Sequence, residues 1–252
     1  MTELELNTHT IDIWLIEPQR VDEATMRLFQ SVITPVELAN ANRKRGSIGQ
    51  RDAIITRAFI RQVLSQYEDI SPLAWEFGKG FNGKPFISQP NTNLSFNLSH
   101  AKDLIVCAVS RGCDLGIDVE YIKRKSDTYK LAPRYFSPQE ISDLQALPYH
   151  QQAIDFYHYW TLKEAYIKAC GDGLAIPLNQ FSFKLTAGEP VSISFAPARD
   201  DHPNYWQHFL YQPTDAHKMA LSVKVANHLP LSIRMLELQA DNSFKATSLP
   251  LK

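Results

Sequence analysis

Two segments carry most of the information about this chain, Gly116-Ile117-Asp118-Val119-Glu120 and Trp160-Thr161-Leu162-Lys163-Glu164-Ala165-Tyr166-Ile167-Lys168. The first predicts a buried strand whose alternating side chains put Asp118 and Glu120 on one face. The second predicts a helix on which Trp160, Glu164 and Lys168 fall at i, i+4 and i+8, along one stripe. If the helix packs beside the strand, three carboxylates and a lysine converge. Three hard oxygen donors suit Mg²⁺ held together with a phosphate.

An ordinary structural role is the alternative for each segment taken alone. The basic run Lys123-Arg124-Lys125 could pair with the acids of the strand. A Glu164–Lys168 pair at i,i+4 stabilises a helix by only about 0.2–0.5 kcal/mol. The charged residues of the helix nevertheless lie in an apolar segment, and charges in such a setting need a partner or a function. Phosphate chemistry is therefore the leading interpretation.

Length and composition set the broad class. The chain has 252 residues, of which 44% are hydrophobic and 21% charged, as in a soluble globular protein of one large domain or two small ones. A net charge of −1 argues against general nucleic-acid binding. No apolar stretch is long enough to span a membrane, and the first residues are acidic where a secretory signal is basic. The three cysteines lack metal-site spacing and are expected to be reduced thiols in a cytoplasmic protein.

The order of sequence signals is repeated along the chain. Thr34-Pro35-Val36-Glu37 and Ser137-Pro138-Gln139-Glu140 are both capping boxes with proline at the first helical position. Each precedes a long predicted helix, at about 49–67 and about 151–170, and each helix precedes a Gly-x-Pro turn and further strands. Such motifs are common, so coincidence is the alternative explanation.

The repetition predicts an α+β fold built as a pseudo-dimer of two similar α+β halves. The halves are expected at residues 1–120 and 121–252, joined near 121–130. Ligands favour the cleft between two halves, so the candidate site is expected there. A two-half chain needs no partner subunit to complete its site, and a monomer is expected.

Basic and small polar residues of the first half are further candidates. Arg51 belongs to a basic group that also contains residues 43–45, Arg57 and Arg61, and that forms either a solvated helix face or a phosphate-binding surface. Lys84 lies in a stiff Gly-Lys-Pro turn, where a solvent-exposed lysine is the alternative. Residues 97–100 follow a predicted strand and either cap its turn or hold a nucleotide base or phosphate. A glycine-rich phosphate loop of the P-loop or dinucleotide type is absent from the sequence.

Taken in order, these motifs resemble a known enzyme family. The chain is similar to the 4′-phosphopantetheinyl transferases of the surfactin-synthetase-activator type over about residues 34–183. The matching motifs are Gly83-Lys84-Pro85, Phe96-Asn97-Leu98-Ser99-His100, Gly116-Ile117-Asp118-Val119-Glu120, Phe136-Ser137-Pro138-Gln139-Glu140, Trp160-Thr161-Leu162-Lys163-Glu164-Ala165-Tyr166-Ile167-Lys168 and Gly171-Asp172-Gly173-Leu174. Each motif is weakly specific, but the whole ordered set is strongly specific.

The resemblance implies roles for individual residues. Asp118, Glu120 and Glu164 would be the ligands of Mg²⁺, with Mn²⁺ also possible, and Lys168 would meet the pyrophosphate of coenzyme A. Glu164 would also take the proton of the attacking serine. The residues implied to contact the adenine and 3′-phosphate of coenzyme A are Lys84, Ser99 and His100, with Arg51 near the position of a further family arginine.

The implied reaction is transfer of 4′-phosphopantetheine from coenzyme A to a serine of an acyl or peptidyl carrier protein, with release of adenosine 3′,5′-bisphosphate. Carriers of fatty-acid, polyketide, non-ribosomal-peptide and lysine biosynthesis all remain possible. The run 121–125 is either a carrier-docking rim or a solvated linker. Two other functions remain open: a metal-dependent phosphohydrolase of coenzyme A or nucleotides, and a non-catalytic module that binds coenzyme A or a carrier protein.

Overall fold

The computed structural model describes residues 4–123, 128–225, 230–239 and 244–247. In the first part of the chain the elements are β1 (Thr10–Ile16), α1 (Glu23–Ser31), α2 (Pro35–Asn42), α3 (Ser47–Leu64), β2 (Glu76–Lys79), β3 (Pro85–Gln89), β4 (Leu94–Ala101) and β5 (Leu104–Arg111). They are followed by β6 (Leu115–Tyr121), α4 (Ala132–Tyr135), α5 (Pro138–Ala146), α6 (Tyr149–Cys170), β7 (Phe181–Lys184), β8 (Ser192–Phe195), β9 (Trp206–Thr214), β10 (His217–Lys224), β11 (Ser232–Leu238) and β12 (Phe244–Thr247).

Two sheets pack face to face, and each carries helices on its outer side. The first has the strand order β12-β11-β1-β5-β4 and the second β6-β10-β9, while β2–β3 and β7–β8 form separate hairpins. One apolar cluster, which includes Ile13 and Val106 of the first sheet and Ile117 and Leu221 of the second, fills the space between the sheets. Two other clusters join α1–α3 to the first sheet and α4–α6 to the second. The predicted α+β class with two lobes is confirmed.

The sheets do not follow the predicted boundary between residues 120 and 121. Strand β6 pairs antiparallel with β10 in the second sheet, and β11 pairs parallel with β1 in the first. Hydrophobic alternation along a strand shows which residues share a face, but it does not identify the neighbouring strand. We therefore define the first lobe as β1–β5, α1–α3, β11 and β12, and the second lobe as β6–β10 and α4–α6.

The same clamp stabilises each lobe. In the first, Arg61 of α3 forms an ion pair with Glu37 of the α2 capping box (2.9 Å) and donates to the carbonyls of Pro72 and Trp75. In the second, Lys163 of α6 pairs at 2.8 Å with the capping-box glutamate of α5 and donates to the carbonyls of residues 178 and 181. This repeated arrangement supports the two-lobe interpretation, and it assigns Glu140 the folding role expected from the sequence.

Helix α6 is the central element of the second lobe. It begins at Tyr149, two residues before the predicted start, and ends at Cys170. The capping residue Gly171 follows, and its φ of 81° is the left-handed conformation that glycine accommodates without a Cβ clash. No helix among the described residues has the length and apolar character needed to cross a membrane.

Candidate active site

Glycine at position 116 lets α6 lie directly against β6. A Cβ atom there would be 2.1 Å from the carbonyl oxygen of Ala165 and 2.4 Å from the amide nitrogen of Ala169. Since real Cβ atoms do not approach backbone so closely, a larger residue would push the helix off the strand. The close contact brings the stripe of α6 that carries Glu164 and Lys168 over the acidic end of β6.

Asp118 and Lys168 form the centre of the site. The ammonium nitrogen of Lys168 lies 2.6 Å from Asp118 Oδ1, and the same nitrogen donates to Ser99 Oγ (3.1 Å) and to the carbonyl of Ile117 (3.2 Å). Asp118 is 5% exposed, and its other oxygen, Oδ2, is buried without a hydrogen-bond partner among the described residues. A buried carboxylate oxygen without a partner carries a large desolvation cost, and a bound cation would remove it.

Glu164 lies close enough to the two strand acids to be affected by their charges. Burial, together with repulsion from Asp118 and Glu120, raises the pKa of Glu164 to about 7, and Lys168 opposes the shift. A carboxyl with a pKa near neutrality can accept a proton at physiological pH. The structure thus brings together the four predicted residues Asp118, Glu120, Glu164 and Lys168.

The three acids fit a hard divalent cation by their chemistry, although their side chains are not grouped around a common point. Asp118, Glu120 and Glu164 supply only carboxylate oxygens, the ligands that Mg²⁺ and Mn²⁺ prefer. Within the described ranges, no three His, Cys, Asp or Glu side chains are grouped closely enough to hold a metal ion as they stand. The metal role of the three acids stays a prediction.

Lys84 reaches from the β2–β3 turn to the same region. Its ammonium donates to the carbonyls of Leu115 (3.3 Å) and Ala169 (2.9 Å), and burial lowers its pKa. A cavity of about 220 Å³ lies beside it, lined in part by Asn97, Lys168 and Gly171. Lys84 is therefore next to the site and not in open solvent.

The structure separates the other predicted coenzyme A residues. Ser99 is at the centre of the site, whereas His100, the next residue of β4, is exposed and lies close enough to Asp52 of α3 to influence its pKa. Arg51 donates to the carbonyls of Pro18 and Val21 in the first lobe. Coenzyme A binding by these three residues stays a prediction. The guanidinium of Arg51, however, already donates to two backbone carbonyls of the protein.

Asn97 was predicted only as one of the polar residues 97–100, and the structure gives it a contact of its own in the site. Its side-chain oxygen accepts a hydrogen bond from the amide of Ile117 (2.9 Å), and the residue is 4% exposed. The alternation of Ser95, Asn97 and Ser99 along β4 was the available signal, because it places three polar side chains on one face of a buried strand.

Two protein-family models match this chain. The family model described as the 4′-phosphopantetheinyl transferase superfamily matches residues 114–222, and the one described as 4′-phosphopantetheinyl transferase, N-terminal, matches residues 20–112. The chain belongs to the 4′-phosphopantetheinyl transferase superfamily. This confirms the family resemblance and the enzyme class expected from the motifs.

Individual relatives agree. The chain is 36% identical over 197 residues to the 4′-phosphopantetheinyl transferase HetI of Nostoc sp., covering 77% of this chain and 82% of that protein. It is 32% identical over 195 residues to the 4′-phosphopantetheinyl transferase Sfp of Bacillus subtilis, covering 77% and 83%. Among solved structures, the holo-[acyl-carrier-protein] synthase of Thermotoga maritima aligns with 44% of this chain and 62% of its own, with a TM-score of 0.35 and 24% identity.

Proposed function

We propose that the protein transfers 4′-phosphopantetheine from coenzyme A to the serine hydroxyl of an apo acyl or peptidyl carrier protein in the presence of Mg²⁺. The observation that carries this proposal is the convergence of Asp118, Glu164 and Lys168 on one buried point, with one oxygen of Asp118 still unpartnered. Family membership supports the same reaction class.

The reaction is a displacement at phosphorus. The serine oxygen forms a bond to the pyrophosphate phosphorus nearer the pantetheine, and the bond from that phosphorus to the bridging oxygen breaks. Adenosine 3′,5′-bisphosphate leaves with the electron pair. Since the carrier protein supplies the nucleophile, the transferase needs no nucleophilic serine or cysteine of its own.

The residues of the chain divide the remaining tasks. Glu164, whose pKa is raised to about 7, takes the proton of the serine hydroxyl. Lys168 is placed to exchange its contact with Asp118 for the leaving phosphate oxygens, because an ammonium stabilises charge that develops there. Asp118, Glu120 and Glu164 would hold the metal ion, which when bound neutralises charge on the pyrophosphate.

The deciding experiment is mass spectrometry of apo carrier proteins incubated with this protein and coenzyme A, with Mg²⁺ or with EDTA. The expected result is a metal-dependent gain of one phosphopantetheine on the carrier serine. Release of adenosine 3′,5′-bisphosphate without modification of several carrier types would indicate a hydrolase. Coenzyme A binding without release or transfer would indicate a non-catalytic binding module.

The carrier, its pathway and its docking surface are further parts of the proposal. The predicted rim at 121–125 includes residues 124 and 125, which lie outside the described residues. A monomer in the cytoplasm stays the expectation. Comparing acyl and peptidyl carriers in the same assay would show which class is preferred.

A further inference from the structure

Side chains bind the backbone N–H and C=O groups along the edge of β6 that faces away from β10. In the antiparallel pairing of β6 with β10, the main-chain groups of alternate residues point away from the partner strand. For residues 115, 117 and 119 these groups meet polar side chains of the β2–β3 turn, β4 and α6. The contacts are Lys84 Nζ to Leu115 O (3.3 Å), Ile117 N to Asn97 Oδ1 (2.9 Å), Lys168 Nζ to Ile117 O (3.2 Å) and Val119 N to Ser99 Oγ (3.2 Å).

The hydroxyl of Ser99 has no hydrogen-bonding capacity left for a ligand. A serine hydroxyl has one donor hydrogen and two acceptor lone pairs. Ser99 donates to Asp118 Oδ1 (3.0 Å) and accepts from the amide of Val119 (3.2 Å) and from the ammonium of Lys168 (3.1 Å). The residue is 7% exposed. A phosphate oxygen could bind this hydroxyl only by displacing one of the three protein partners.

These contacts orient the carboxylate of Asp118. Its Oδ1 accepts hydrogen bonds from the hydroxyl of Ser99 and the ammonium of Lys168. The other oxygen, Oδ2, is buried and has no partner among the described residues. Asn97 fixes the strand one residue earlier, at the amide of Ile117. The carboxylate of Asp118 is therefore held at Oδ1, and the strand beside it is fixed at Ile117, while Oδ2 has no partner among the described residues.

We propose that Asn97 and Ser99, here called the β4 clasp, are positioning residues that present Asp118 Oδ2 to the metal ion of the reaction. This inference rests on the proposed function for the identity of the reaction. It assigns Ser99 to the orientation of Asp118 and Lys168, and not to the 3′-phosphate of coenzyme A as the family resemblance implies. Asn97 and Ser99 thus act through Asp118 and touch no reacting atom.

Ser99→Ala tests the clasp, with Ser95→Ala as the matched control. Ser95 lies on the same face of the same strand four residues earlier, and the structure shows no hydrogen bond from its side chain within the described ranges. Binding of Mn²⁺, measured by electron paramagnetic resonance, is expected to weaken roughly tenfold or more in Ser99→Ala, the effect of losing one hydrogen bond to a charged group. The control is expected to bind Mn²⁺ as the wild type does.

The second measurement compares the affinity for coenzyme A with that for dephospho-coenzyme A, which lacks the 3′-phosphate, in EDTA. The preference between them is expected to be unchanged in Ser99→Ala, because the hydroxyl does not contact that phosphate. A lost preference together with normal Mn²⁺ affinity would overturn the proposal. Ser99→Thr keeps the hydroxyl and is expected to restore Mn²⁺ binding, and unchanged thermal midpoints would show that each variant folds. Failure of the proposed function would instead appear as wild-type protein that modifies no carrier, whatever its metal affinity.

Discussion

Asp12 and Asp118 occupy corresponding strands of the two lobes and are both buried, but only one of them is fully satisfied. Asp12 of β1 accepts from Arg234 at both oxygens (2.6 and 2.8 Å) and from the hydroxyl of Tyr67 (2.6 Å). Asp118 of β6 has partners on Oδ1 alone. Asp12 thus links β1 to Arg234 of β11 and to Tyr67. Asp118 keeps one carboxylate oxygen that a cation could bind.

The long helices show the same division. Arg61 of α3 and Lys163 of α6 form equivalent clamps to the capping-box glutamates, so the residues that follow them, Gln62 and Glu164, correspond as well. Gln62 is a neutral amide with 2% exposure, while Glu164 is a carboxyl whose pKa is raised to about 7. The two lobes therefore share a scaffold. The second differs by carrying Glu164, a carboxyl with a raised pKa, and Asp118, a buried carboxylate with one oxygen that has no partner among the described residues.

The largest effect on carrier modification is expected when Glu164 is replaced by glutamine, the residue at the corresponding position 62 of the first lobe. Glu164→Gln removes the proton acceptor and keeps the shape, so transfer is expected to fall by roughly 10²- to 10⁴-fold. The measurement is the rate of carrier modification by mass spectrometry, with the exposed Glu189→Gln as control. Near-normal turnover with a normal thermal midpoint would remove Glu164 from the proposed mechanism.

The two clamps are expected to differ in their contribution to stability. The side chains of Lys163 and Glu140 are both fully buried, whereas that of Glu37 in the first lobe is 17% exposed. Lys163→Met would leave a buried carboxylate unpaired and is expected to cost about 3–5 kcal/mol of unfolding free energy. Arg61→Met is expected to cost less, because water can reach Glu37.

Urea denaturation of both variants checks this difference. The double variant Lys163→Met/Glu140→Gln removes the unpaired charge and is expected to recover part of the lost stability. If Arg61→Met proved as costly as Lys163→Met, exposure of the partner acid would not be the deciding factor.

The two aspartates are expected to separate stability from activity. Asp12→Asn breaks charged hydrogen bonds to Arg234 and is expected to cost about 1.5–3 kcal/mol of stability, with normal turnover by the folded protein. Asp118→Asn also relieves repulsion among the acids, so stability is expected to change little while carrier modification falls sharply. Urea midpoints and transfer rates of both variants test this contrast. A catalytic defect in folded Asp12→Asn, or severe destabilisation by Asp118→Asn, would contradict it.

Much of this arrangement could be predicted from the sequence where the signals were local. Both capping boxes were recognised, as were helix α6 and the strand alternation that puts Asp118 and Glu120 on one face. The segments Ile-Asp-Ile at 11–13 and Ile-Asp-Val at 117–119 look alike, however. Asp12 is structural only because Arg234 and Tyr67, both distant in sequence, bind its carboxylate. The carbonyl partners of Arg51 and the saturated hydroxyl of Ser99 are likewise set by residues far away in sequence.

A further expected difference is a pH dependence of stability at Glu164 of the second lobe that Gln62, the corresponding residue of the first, cannot produce. Because burial raises the pKa of Glu164 from 4.5 to about 7, the folded state favours the protonated carboxyl. Its contribution to stability is fully present below about pH 4.5 and is lost as the pH rises to about 7, since the unfolded chain ionises first. Glu164→Gln, like Gln62 of the first lobe, cannot titrate. The unfolding free energy of that variant relative to wild type is therefore expected to increase between these pH values and to level off above them. Urea denaturation across this range in EDTA measures the difference, and parallel curves would show that Glu164 is not held protonated by its buried, acidic surroundings.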